Sequence, residues 1–240
     1  MCIYLSHPRS VISWIVLCGI FLTACSTTSA TEADMDIQTQ EGEIAPPPLA
    51  VPLGMVPDLD GDLSSGEWDQ ALELEMSRDG AVYFQHDGEY LYVGIAADGL
   101  GYGSLCWERD DQVWILHSSA ALGSAAYQAD GSSWRPLWDY DWCCRSAVPT
   151  GERQDLFEQE GWMASISYMG DPGQMEYQID WEGEIRLAVI YQTNQRLDTA
   201  FLWPQTLSDA CVDLVLGSGE LMDPATFVID SWEILVPADE

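Results

Sequence analysis

The residues with chemistry to offer are acids, tryptophans and cysteines, and they are unevenly spread. Asp58, Asp60 and Asp62 alternate as at the start of an EF-hand loop, but Gly61 falls at the fourth position, not the sixth. A looser calcium site drawn from Asp60, Asp62 or Glu67 is the only metal reading these residues allow, and a plain Asp-Gly turn also accounts for them. Forty acidic residues make it impossible to single out a carboxylate pair for glycoside hydrolysis, since separation in space defines such a pair. Beyond residue 24 only His86 and His117 remain. A Ser-His-Asp triad or a His-rich metal site therefore has little material. No Gly-rich phosphate loop is present. These patterns point away from catalysis and require no cofactor.

The elements that must position these groups begin with a targeting segment. An apolar run from Val11 is too short to span a bilayer, which takes roughly 20 apolar residues. It ends in Leu22-Thr23-Ala24-Cys25, which resembles the lipobox of bacterial lipoproteins. The resemblance implies cleavage before Cys25, acylation of that cysteine, and a place at the bacterial cell envelope, extracytoplasmic and membrane-bound only through the lipid. Residues 1–24 are thus expected to be a signal peptide. Residues 25–55 lack sustained apolar periodicity and carry Pro46-Pro47-Pro48, the composition of a disordered acidic tether.

Residues 56–240 are about the size of one domain. The chain has a formal net charge of −32 and no lysine, a surface that repels nucleic acid and anionic headgroups. With Cys2 and Cys18 in the signal and Cys25 lipidated, Cys106, Cys143, Cys144 and Cys211 remain. Four cysteines in an oxidising compartment predict two disulfides with three connectivities, the vicinal Cys143–Cys144 bond being the least favoured.

The periodicity is that of strands. Segments 72–76, 81–85, 89–97, 112–116, 125–129, 162–168, 175–181, 185–192 and 227–236 read as short strands, with Asp87-Gly88 as a hairpin turn. A turn of helix fits 207–216. Many short strands with frequent turn signals predict an all-β fold, an antiparallel β-sandwich.

Particular residues then resemble a family. Asp60-Gly61 leading to Trp68, the Asp87-Gly88-Glu89-Tyr90-Leu91-Tyr92-Val93 hairpin, and Ala97-Asp98 are similar to family 9 carbohydrate-binding modules and their DOMON-like relatives. So are the segment 107–115, read as one W-x-x-D-x-V-E-I strand with an extra residue, Glu176 in Met175-Glu176-Tyr177, Leu202-Trp203-Pro204, and Asp223-Pro224. The resemblance implies a carbohydrate-binding β-sandwich in which Trp107 stacks on a sugar ring. Asp98 and Gln128 would bond its hydroxyls, and Trp138, Trp142 or Trp203 would form the opposing face. It departs from the family where Leu221 replaces the second clamp tryptophan, Gln128 an arginine and Trp114 a glutamate. An aromatic insertion between 130 and 161, with Trp134, Trp138, Tyr140 and Trp142, could supply a new platform. Distant relatives bind haem through Met and His, for which His86, His117, Met163 and Met175 are the material. The expected product is a monomeric, non-catalytic, lipid-anchored domain whose partner is carbohydrate. The alternative is a surface-protein partner, with the sandwich kept and the sugar site lost.

Overall fold

The computed structural model describes residues 47–144, 151–167, 173–194, 200–216 and 221–238. The expected signal peptide, Cys25 and most of the tether lie outside the described residues. Two sheets carry the fold. In order across the larger one run β1 (Leu49–Val51), β14 (Glu233–Pro237), β12 (Ile185–Thr193), β5 (Gly101–Arg109), β6 (Gln112–Ser118), β7 (Leu122–Asp130) and β8 (Ser133–Pro136). Two short strands join its flanks, β13 (Ala200–Trp203) on β12 and β9 (Asp141–Trp142) on β7. The smaller sheet runs β10 (Trp162–Ile166), β11 (Gly173–Asp180), β4 (Tyr90–Ala97), β3 (Ala81–His86) and β2 (Leu72–Glu75). The all-β sandwich expected from the strand pattern is the fold observed. All the strand pairings are antiparallel except β1 with β14.

That exception moves a boundary. Leu49–Val51 falls inside the segment 25–55 expected to be tether, yet it pairs with Leu235–Pro237, and Val51 is fully buried. A three-residue strand is too short for alternation to stand out in a proline-rich neighbourhood. Its partner lies almost 190 positions away, invisible to local pattern.

The inner faces of the two sheets bury one core, with Phe84, Val93, Leu105, Trp162, Tyr177 and Tyr191 among its bulkier members. The larger sheet has a second core on its outer face. There Cys106, Ile115, Tyr127 and Ile190 are covered by Phe227, Trp232 and helix α2 (Ala210–Leu216). Burial on both faces explains why β12 carries a continuous apolar run from Leu187 to Tyr191. Asp209 pins this cover: its carboxylate accepts hydrogen bonds from the Cys211 and Val228 amides and from Trp232 Nε1, all at 2.8–2.9 Å. The Cys106–Cys211 disulfide ties β5 to the same cover, and Cys143 bonds to Cys144. The vicinal pairing, least favoured on local geometry, follows from the fold. Cys106 and Cys211 meet under the cover and leave Cys143 only its neighbour.

Helix α1 (Gly151–Glu160) was not foreseen, because it has no apolar stripe to reveal it. What it buries is Leu156 and Arg153. Arg153 donates to the Leu59 and Ala164 carbonyls, holding the 57–61 loop against β10.

The same loop hangs on Glu176, which is fully buried on the outer face of β11. Its carboxylate accepts from the Gly61 amide at 2.8 Å and from Trp68 Nε1 at 3.1 Å. Gly61 has φ +96°, and a Cβ there would collide with the Ile166 backbone, so only glycine fits. Burial pushes the Glu176 carboxyl up to about 8, against the lowering effect of its two N–H donors. The native value lies above the unfolded value near 4.3. The stabilisation from this proton is therefore complete below about pH 4 and is lost as pH rises through the native value. Urea unfolding between pH 5 and 9 should show wild type losing stability relative to Glu176→Gln, which stays neutral. Parallel profiles for the two proteins would remove Glu176 as the cause.

Candidate binding site at the open end of the sandwich

The segment 107–115, read from sequence as one strand, is a hairpin. β5 turns into β6 at Asp110–Asp111, whose φ angles of 53° and 60° are the positive pair a type I′ two-residue turn requires. Trp107 therefore lies opposite Trp114, and Arg109 opposite Gln112. The next strand continues both rows, with Ala126 opposite Trp114 and Gln128 opposite Gln112, and Arg135 of β8 follows Gln128. Paired residues share a face, so two rows lie side by side on the inner face of the larger sheet, near its open end. One is Trp107–Trp114–Ala126, and the outer one is Arg109–Gln112–Gln128–Arg135.

Trp138, 39% exposed, folds over this face and meets Trp114 edge-on at 5.4 Å. Trp107 is 4% exposed, and the Arg109 guanidinium lies 5.1 Å from its ring centroid, within cation–π range. Arg135 binds Asp130 at 2.7 Å and Asp223 at 3.1 Å, fastening the segment around Pro224 beside β8. Behind Trp107 is a cleft of about 190 Å³ between the hairpin and the β11–β12 corner, with Trp181 and Ile185 on its far side. Burial raises the Glu108 carboxyl at its rim, with Asp111, Asp230 and Glu184 adding to the effect and Arg186 opposing it at 3.4 Å.

The expected site residues divide in two. Trp107, Gln128 and Trp138 share this end of the sheet, although burial denies Trp107 the free face that stacking needs. Asp98 is exposed beyond the far end of β5, about 20 Å from Trp107 at the usual rise per strand residue. Trp203 lies inside the core, 4.8 Å from Phe84, and cannot meet a ligand. Trp142, 49% exposed, lies on the opposite face of the sheet against Tyr140 and His117. Leu221, at the second clamp position, packs on the outer core and not opposite Trp107. The expected two-tryptophan clamp is not assembled.

Sequence reasoning missed Trp114, Arg109, Gln112 and Trp181 as neighbours of this site. The available signal was the alternation of Trp107 with Arg109 and of Gln112 with Trp114 about Asp110-Asp111, which reads as a hairpin once that pair is taken as a turn. Among the described residues there is no group of three His, Cys, Asp or Glu side chains that could hold a metal, and the Asp60 carboxylate accepts the Asp62 amide at 2.9 Å, as in a plain turn. His117 bonds Ser104 at 2.9 Å on the outer face, where burial pushes the imidazole down to about 4. His86 packs against Trp181 at 5.0 Å in the other sheet, and Met175 is in the core.

The class this fold defines is a two-sheet antiparallel β-sandwich. No family model matches the chain, and no curated protein does. Among solved structures it is similar to a family 9 carbohydrate-binding module from Caldicellulosiruptor kristjanssonii in complex with cellotriose. That likeness has 8% identity, covers 80% of this chain and 94% of the other, and gives a TM-score of 0.43. A protein from Bacteroides uniformis described as carbohydrate-binding gives 12% identity, 78% and 97% coverage, and a TM-score of 0.42.

Left-handed backbone at two successive aspartates is strained, by roughly 1 kcal/mol or more per residue. Asp111→Gly should therefore raise stability by about 1 kcal/mol in thermal melts. A loss instead would show that the aspartate side chain itself holds the turn.

Proposed function

We propose that this chain is a non-catalytic binding domain for carbohydrate, displayed at the bacterial cell envelope by acyl chains on Cys25. The observation that carries the ligand class is the exposed Trp138, braced edge-on by Trp114 next to the planar amides of Gln112 and Gln128. Sugar recognition needs that combination: a flat apolar surface for ring C–H groups, and planar polar groups for hydroxyls. The platform is assembled from the aromatic insertion and the β6–β7 pair, and it takes the place of the clamp expected at Trp107. Support for the anchor comes from Leu22-Thr23-Ala24-Cys25 and the apolar run before it. More than one acyl chain at such a cysteine is enough for stable attachment.

A second reading, a protein-interaction domain that keeps the sandwich without a sugar site, is favoured by the burial of Trp107. Screening plant, bacterial and host glycans by array and tryptophan fluorescence separates the two. Trp138→Ala should weaken the best glycan by about tenfold, the worth of one lost stacking contact. Trp142→Ala, on the opposite face, should leave affinity unchanged. No response to any glycan would select the protein-interaction reading. For the anchor, metabolic labelling with palmitate should mark wild type and not Cys25→Ser. Equal labelling of both would exclude Cys25 as the acceptor.

A further inference from the structure

The two disulfides differ in what they can do for the fold. Cys106 and Cys211 stand 105 positions apart in sequence, and both are fully buried under the α2 cover. A crosslink stabilises a fold chiefly by closing a long loop in the unfolded chain. Cys143–Cys144 joins neighbours and closes almost no loop, so it adds next to nothing by that route. The backbone around it is held by other means. The Cys143 amide donates to the Leu122 carbonyl at 3.0 Å, and the Leu122 amide donates to the Cys144 carbonyl at 2.8 Å. Asp141 and Trp142 continue the pairing against Ser124 and Gly123. The bond is also open to attack from one side. Cys143 is exposed, whereas Cys144 is 6% exposed and packs in the main core. Disulfide exchange needs a thiolate to reach a sulfur, and exposed bonds are the labile ones. A reduced Cys143 would also find an acceptor in place, since its sulfur lies 3.6 Å from the Glu152 carbonyl in the first turn of α1.

We propose that Cys143–Cys144 is a thiol–disulfide exchange site, reduced by an external dithiol at its exposed sulfur. A thiolate of the dithiol attacks Cys143 Sγ and forms a mixed disulfide there. The Cys143–Cys144 bond breaks, its electron pair leaves on Cys144 Sγ, and that sulfur takes a proton from solvent. The second thiol of the reductant, as thiolate, then attacks the reductant's own sulfur in the mixed disulfide. Cys143 leaves as a thiolate and is protonated in turn. The protein gains two electrons and two protons, the dithiol becomes a disulfide, and the reverse sequence restores the bond. Burial fixes the order, because Cys143 can be reached and Cys144 cannot. Cys106–Cys211, enclosed at both sulfurs, takes no part. The site lies at the end of the aromatic insertion, one residue from the exposed Trp142, and does not depend on what the platform at Trp138 binds.

The test treats the folded full chain with graded dithiothreitol, blocks free thiols with iodoacetamide, and assigns each cysteine by peptide mass spectrometry. Cys143 and Cys144 should be alkylated at about tenfold less reductant than Cys106 and Cys211 require. Oxidised glutathione, added after the reductant is removed and before alkylation, should restore the bond. In Cys144→Ala, oxidised glutathione should leave an adduct on Cys143. In Cys143→Ala, the buried Cys144 should stay unmodified, and the variant should melt with wild type. Opening of both disulfides together, only as the chain unfolds, would overturn the exchange site. A lower melting temperature for Cys143→Ala would make the bond a structural staple and overturn it as well. A glutathione adduct on Cys144 in Cys143→Ala, with none on Cys143 in Cys144→Ala, would overturn the order of attack.

Discussion

The two-residue turn at Asp110–Asp111 sets the register of β5 against β6, and the character of the open end follows from it. A strand shifted by one position presents every side chain to the opposite face. With this turn, Trp107, Arg109, Gln112 and Trp114 share the inner face, and Cys106 and Ile115 share the outer one. The outer placement lets Cys106 reach Cys211, and the inner placement gathers polar and aromatic side chains beyond the cover of the smaller sheet. Two aspartates carry left-handed backbone in this turn, a conformation glycine would adopt more easily.

Around that hairpin, the larger sheet is built between two cores, and this explains much of what is unusual in the chain. An antiparallel sheet commonly leaves one face to water. Here the outer face is covered by α2 and the 221–232 segment, held by Asp209 and the Cys106–Cys211 bond. Aromatic residues supply both layers, so most of the described tryptophans are structural, and among them only Trp138 and Trp142 are substantially exposed. Glu176 does similar work on the smaller sheet, holding the 57–68 loop through Gly61 and Trp68. Its burial raises its own carboxyl and favours the protonated form, while the two N–H groups that hold the loop favour the charged one.

Strand content was legible because alternation and turn residues are local. The Asp87-Gly88 hairpin, the run 89–97 and the start of the first smaller-sheet strand after Trp68 all stand where the pattern put them. β1, β5 and α1 were not legible, each for its own reason. β1 is three residues long, β5 begins among glycines that blur its pattern, and α1 has no apolar stripe. Of the expected sugar contacts, Gln128 and Trp138 fell at one end of the sheet with Trp107. Asp98, Trp142 and Trp203 were scattered, because residue type says nothing about which face or end of a strand is open. By itself the sequence determined the all-β class, the acidic surface and the supply of aromatic rings, all matters of composition and short period. Tertiary structure alone decided which tryptophans meet solvent and that Cys106 pairs with Cys211, because each depends on strands brought together from distant parts of the chain.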